Sequence, residues 1–153
     1  CIRDRPTSLV CDRYGKIWTV TEGRTEGIPA VLYRIDAATR VIERSFLFPS
    51  GDHPSELVLN GRRDTLYYLD RDVWRMSVKD ESLPATPFLP YAGTTYYGLG
   101  VDPRNSEVYV ADAIDYVQHG VVYRFTARGR ALDTLRVGIT PGSFCFWQPE
   151  QNQ

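Results

Sequence analysis

Apolar residues in this chain come in short runs of about six positions, each broken by Gly, Pro, Asp or Asn, and no window shows competing helical periodicity. The runs recur in order. "RPTSLVCDRYGKIWTV" from Arg5, "HPSELVLNGRRDTLYYL" from His53 and "TYYGLGVDPRNSEVYVA" from Thr95 share one pattern. Leu9, Leu57 and Leu99 align, 48 and 42 positions apart. Asp12, Asn60 and Asp102 align behind them, followed by Trp18, Tyr67 and Tyr109. "VLYRID", "DVWRMS" and "VVYRFT" then bring Arg34, Arg75 and Arg124 into register. A period of ~40–50 residues is that of one propeller blade.

Each repeat reads as four strands: a small apolar run after Pro, a second run with apolar residues on both sides, an aromatic-Arg run, and a fourth. The fourth strands are expected in "VIERSFLF", "TPFLPY" and "ALDTLRV". "DRYGK", "NGRRD" and "DPRNSE" supply hairpin turns between the first two strands. The second strands pair Ile17 with Trp18, Leu66 with Tyr67 and Val108 with Tyr109, so both of their faces need cover. Blades stacked face to face provide it. The expected fold is therefore all-β, a β-propeller of about three four-stranded blades spanning residues 5–50, 51–93 and 94–140.

The segment "TPGSFCFW", Thr140–Trp147, matches the start of a repeat, Pro141 with Pro6 and Phe144 with Leu9. It is expected to be a closing strand at 141–147, with a polar tail at 148–153. Because closed propellers have about 4–8 blades, three suggest the C-terminal part of a larger ring. The alternative is two copies forming a six-bladed ring.

The phrases "PSELVLN", "TTYYGLGVDPRNSEVYVADAIDYVQHGVVYRF" and "VGITPGSFCF" resemble the YncE-like (YVTN/NHL-type) β-propeller surface lipoproteins of Bacteroidetes. The most specific part is Gly-Ile-x-Pro-Gly-x-Phe-x-Phe at Gly138–Phe146, and the likeness runs from Pro6 to Phe146. The resemblance implies a seven-bladed propeller, secreted through a lipoprotein signal, with no established enzymatic chemistry. It implies a location at the cell surface or outer membrane, with the periplasm as the alternative. BtuG-type members capture cobalamin and pass it to an outer-membrane transporter, so a TonB-dependent transporter is the implied partner. First blades and lipobox do not match anything in these residues.

Composition narrows the rest. The 153 residues are 42% hydrophobic and 24% charged, with a net charge of −1. That is a folded composition with no electrostatic case for nucleic acid, and no run approaches the roughly 20 apolar residues of a membrane span. Of the three cysteines, Cys11 and Cys145 read as small buried hydrophobes; Cys1 reads as an arbitrary start, with lipidation as its alternative. No resident cofactor or metal is expected, only a bound ligand such as cobalamin.

Strand-two to strand-three loops and inter-blade loops share one face of a propeller. That face should present Glu22, Arg24 and Glu26; Asp70, Arg71 and Asp72; and Asp112, Asp115, Tyr116 and His119. The inter-blade loops add Asp52, His53, Tyr91, Thr94, Thr95, Tyr96 and Tyr97. Aromatics beside acids suit a large amphipathic ligand, with Tyr96, Tyr97 and Tyr116 foremost. Packing between blades is the plain alternative for Tyr97. Asp112 and Asp115 read as turn caps in preference to an acid–base pair or calcium site. Propellers also host lactonases, sialidases and quinoprotein dehydrogenases, but the sialidase Asp-box and the quinoprotein Trp-docking repeats are absent, and Tyr97-Gly98 stands where lactonases carry a metal-binding Asn. A ligand-binding module thus leads over a lactonase-type hydrolase and a protein-interaction scaffold.

Overall fold

A computed structural model of the chain describes residues 6–23, 27–91, 93 and 96–147. Eleven strands form three antiparallel sheets, and no helix is present among the described residues. Blade one holds β1 (Pro6–Cys11), β2 (Lys16–Thr21), β3 (Val31–Asp36) and β4 (Ile42–Leu47). Blade two holds β5 (Ser55–Leu59), β6 (Thr65–Asp70) and β7 (Asp72–Ser77). Blade three holds β8 (Tyr96–Val101), β9 (Val108–Asp112), β10 (His119–Phe125) and β11 (Ala131–Ile139). Strands pair strictly in chain order within each sheet.

Three expectations differ from the structure here. "TPFLPY" forms no fourth strand: its backbone pairs with the sheet through one isolated bridge, Val73 to Leu89, while Phe88 packs on Tyr67 and Arg75. Pro87 and Pro90 flank that bridge and have no N–H for a ladder, so pairing stops where it starts. Residues 141–147 likewise join none of the sheets. Cys11 and Cys145, expected inside, are both exposed.

Two cores lie between the blades. Trp18, Val20, Leu32 and Phe46 of blade one meet Leu57, Leu66, Tyr68 and Met76 of blade two. Tyr67, Leu69 and Val73, from the other face of blade two, meet Leu99, Val101, Val108 and Val110 of blade three. Residues adjacent along β6 thus serve different cores, because successive side chains of a strand point to opposite faces.

The aligned Asp12, Asn60 and Asp102 are buried at the three β-hairpin turns that join first to second strands. Asp12 Oδ1 accepts the Tyr14 and Lys16 N–H groups at 2.8 and 3.0 Å, and its Oδ2 accepts Trp18 Nε1–H at 2.9 Å. Asn60 Oδ1 accepts the Asp64 and Thr65 N–H groups at 3.0 and 3.2 Å. Asp102 accepts the Arg104 N–H at 2.8 Å and its guanidinium at 3.1 and 2.7 Å, which holds its carboxyl below the usual range. The turns also touch one another. Arg13 N–H donates to the Arg63 carbonyl at 3.0 Å, and a Cβ at Gly61 would lie 1.6 Å from the Pro103 carbonyl oxygen.

The third-strand arginines staple blade to blade. Arg34 Nη2 donates to Glu81 Oε1 at 3.0 Å, in the turn after β7, with Arg44 on the same carboxylate. Arg75 Nη1 donates to the Ala127 carbonyl at 3.0 Å, in the turn after β10. Arg124 instead closes on Glu107 of its own blade, through Nε at 2.8 Å and Nη2 at 2.7 Å.

Replacing Asp12 by Ala strands three donors in a buried turn and should cost about 2–4 kcal/mol of unfolding free energy in a urea titration. Asp12→Asn keeps one acceptor and should cost clearly less. Equal losses would show that the turn carboxylate does not carry the effect.

Candidate functional site

β9 ends at Asp112, and the loop to β10 begins there. Asp112 is 1% exposed, and its Oδ1 accepts the Ile114 N–H at 2.8 Å while the Tyr123 hydroxyl donates to Oδ2 at 3.4 Å. Asp115 Oδ1 accepts the Val117 and Gln118 N–H groups at 3.0 and 2.8 Å, and its Oδ2 accepts Gln118 Nε2–H at 2.7 Å. Those bonds, the Gln118 side chain first, hold the Asp115 carboxyl below its ordinary value. Both carboxylates are therefore committed to shaping the loop.

The shape they impose is strained. Ile114 and Tyr116 sit at φ 56° and 65°, a region costly for a side-chain-bearing residue and most costly for a β-branched one. In return the Tyr116 ring stands 52% exposed, edge-on to Tyr97 at 5.7 Å and 85°. Tyr97 is 42% exposed, and Ile114 and Val117 extend the apolar rim. The two rings form an open corner. His119 opens β10, with Nδ1 3.0 Å from the Val137 carbonyl oxygen. Tyr96, next to Tyr97 in sequence, is turned half-buried against Tyr123 at 6.5 Å.

A second group gathers where blades one and two meet. Asp52, His53, Asp70, Arg71, Asp72 and Trp74 line a cavity of about 530 Å³, beside a hollow of about 200 Å³ between Ile28–Ala30 and Ser50–His53. Burial raises the Asp70 carboxyl above its ordinary value, and neighbouring Asp52 adds to this, although the His53 N–H at 3.2 Å pulls the other way. Asp72 accepts the Tyr91 N–H, and the Arg71 guanidinium lies 5.3 Å over the Tyr91 ring. Glu22 is exposed just past β2. Arg24, Glu26, Thr94 and Thr95 lie outside the described residues. The expected loop residues thus divide into a blade-three group and a blade-one/two group, and no hydrogen bond or ring contact joins the two among the described residues.

Sequence reading missed a third feature, at the opposite end of the sheets. A cavity of about 280 Å³ is lined by Asp12, Tyr14, Lys16, Arg34, Glu43, Val78, Lys79 and Glu81. Lys16 Nζ bridges Asp36 and Glu43 at 2.6 Å each, and Lys79 lies 5.2 Å over the Tyr14 ring. Arg34 Nε is 3.5 Å from Glu43 Oε2, close enough for ion pairing although no hydrogen bond forms there. The charges come from separate strands and from two blades, so only register brings them together. They neutralise one another, and the network ties the blades.

No protein-family model and no curated protein matches the chain. Solved structures do match. One is a quinonprotein alcohol dehydrogenase-like protein from Bacteroides thetaiotaomicron VPI-5482, with a TM-score of 0.67 and 15% identity over 85% of this chain. Another is the β-propeller domain of Cps50 (Swd1) from Myceliophteria thermophila, with a TM-score of 0.63 and 20% identity over 92% of this chain. This chain spans 33% and 44% of those two chains. The likeness, with the three stacked antiparallel sheets, makes the fold a partial β-propeller.

Hydrogen bonding to Arg34 holds Glu81 below its ordinary value of 4.5, and hydrogen bonding to Lys16 holds Asp36 low as well. Carboxylates depressed in the folded state stabilise it above their unfolded values and lose that contribution as pH falls through the folded ones. The thermal midpoint should therefore fall progressively from about pH 4.5 downward. Glu81→Gln should flatten that fall, measured by calorimetry across the range.

Proposed function

We propose that this propeller is a ligand-binding protein without chemistry of its own, and that it captures an amphipathic nutrient on the loop face of blade three. The single observation that carries this reading is the perpendicular, exposed pair of Tyr97 on β8 and Tyr116 on a loop held by two strained residues and two capping carboxylates. Residues held in costly backbone conformations persist where the surroundings over-determine them, often at ligand contacts. Two rings at right angles offer one face and one edge, which suits a flat ligand with an apolar plane and a polar rim.

Cobalamin is the first candidate, delivered to a TonB-dependent outer-membrane transporter by a protein of the YncE-like, BtuG-type surface lipoproteins. The Gly138–Phe146 motif supports that finer placement, and the Bacteroides source of one structural neighbour is in keeping with it. The commitment of Asp112 and Asp115 to backbone N–H groups favours binding over acid–base catalysis, since neither carboxylate keeps a free role.

Calorimetric titration of cyanocobalamin into the full chain tests the reading. Binding should be one to one, and Tyr116→Ala and Tyr97→Ala should each weaken it about tenfold, a loss of about 1.4 kcal/mol. Binding of unchanged strength in both variants would move the site away from blade three. An absence of heat from a folded chain would remove cobalamin and bring other amphipathic ligands forward.

A further inference from the structure

Blade two turns from β6 into β7 through one residue, Arg71, where residues 22–30 and 113–118 make the corresponding connections in blades one and three. The short turn leaves a cavity of about 530 Å³ open between blades one and two. That volume lies within the range of roughly 300–1,000 Å³ found for small-molecule sites. The turn also sets Asp70 and Asp72 directly opposite each other at the end of the ladder, a like-charged pair that by itself weakens a sheet. Asp52, from the loop between β4 and β5, brings a third carboxylate to the same lining.

Elsewhere in the molecule the turn carboxylates are filled by protein donors. Asp12 and Asp102 each accept three hydrogen bonds, and so does Asp115. In the network around Lys16, Asp36 and Glu81 pair with Lys16 and Arg34, which hold both carboxyls below their ordinary values. The cavity differs on both counts. Asp70 accepts the His53 N–H and Asp72 accepts the Tyr91 N–H, a single donor apiece among the described residues. A carboxylate offers about four acceptor positions, so most of this capacity is unspent. No ion pair of the described residues reaches Asp52, Asp70 or Asp72. Arg71 instead lies 5.3 Å over the Tyr91 ring, and burial, with Asp52 alongside, holds the Asp70 carboxyl above its ordinary value.

Trp74 supplies the apolar wall of the cavity. Its Nε1–H is spent on the Asp70 carbonyl at 3.1 Å, and its ring is stacked on Tyr68 at 6.3 Å and 7°. The indole is therefore fixed, and it offers a ring without a donor. This lining sorts ligands by chemistry. A metal ion needs convergent ligands, and among the described residues no three acids, histidines or cysteines converge on one point. An anion would meet three carboxylates. An ammonium donates but cannot accept, which leaves Arg71 opposed by like charge. A hydroxyl both donates and accepts, so several hydroxyls on a ring with an apolar C–H face satisfy the whole lining.

We infer that this cavity is a binding site for a neutral saccharide. Its ring lies on Trp74, its hydroxyls donate to Asp52, Asp70 and Asp72, and its oxygens accept from Arg71. The site stands apart from the Tyr97–Tyr116 corner and does not depend on what that corner binds.

Saturation-transfer NMR on the full chain tests the inference. The probes are the methyl glycosides of glucose, galactose, mannose, fucose and xylose, with choline and inorganic phosphate as charged counterparts. At least one glycoside should receive magnetisation, and its dissociation constant should rise about tenfold in Asp52→Ala and in Arg71→Gly. Glycine suits the φ of 61° at position 71, and Asp52 lies in a loop, so both variants keep the fold. Trp74→Ala would also unpack Tyr68, and the two loop variants therefore carry the test. No transfer to any glycoside would overturn the proposal, as would a glycoside bound equally well by either variant. Transfer to choline or phosphate with none to the glycosides would overturn it in favour of a charged ligand.

Discussion

Each sheet in this chain carries apolar side chains on both faces, so burying one face leaves the other still in contact with water. Trp18 and Val20 are sealed only because blade two lies against them, and blade two buries Tyr67 and Leu69 only by turning its other face to blade three. Burial of a large side chain is worth about 1.5–3 kcal/mol, so each stacked face is a substantial part of a marginal total. Stacking is thus the condition under which any one of these sheets is stable. The turn carboxylates, the arginine staples and the loop face all inherit their positions from it.

The same constraint explains the uneven ends of the array. Leu9, Leu57 and Leu99 are one repeat position, yet their exposures are 64%, 3% and 3%. Chemistry is the same at all three, and the presence of a preceding blade makes the difference. Cys11 lies two residues along β1 from Leu9, and no described sheet packs on either of them. At the other end, Phe144 and Phe146 give Tyr109 part of the cover that blade two gives Trp18.

The loops divide their residues between holding shape and presenting surface. Asp112 and Asp115 satisfy backbone donors and leave Tyr97 and Tyr116 to face solvent. The cavity between blades one and two is polar, with Asp70 raised by burial beside Asp52, whereas the blade-three corner is aromatic. These two surfaces differ in chemistry, and both carry left-handed backbone, at Ile114 and Tyr116 in the aromatic corner and at Arg71 in the polar cavity.

Strand positions, hairpin turns and the repeat were legible in the residues, because alternation and turn chemistry are local: β2, β3, β6 and β7 coincide with "KIWTVT", "VLYRID", "TLYYLD" and "DVWRMS". Arg34, Arg75 and Arg124 share one register, yet only Arg34 and Arg75 reach forward to the next blade, while Arg124 closes on Glu107 of its own. Tertiary structure decided the rest. Whether "TPFLPY" pairs depends on how two prolines meet the edge of β7, and whether Tyr96 or Tyr97 faces solvent depends on a bulge in β8 that sets which side each takes. The ion network around Lys16 joins residues from two blades, and among the described residues no sheet packs on Cys11 and Leu9. A residue's own chemistry sets what it would bury or bind; which neighbours reach it is a property of how the sheets stack, and local sequence carries no record of that.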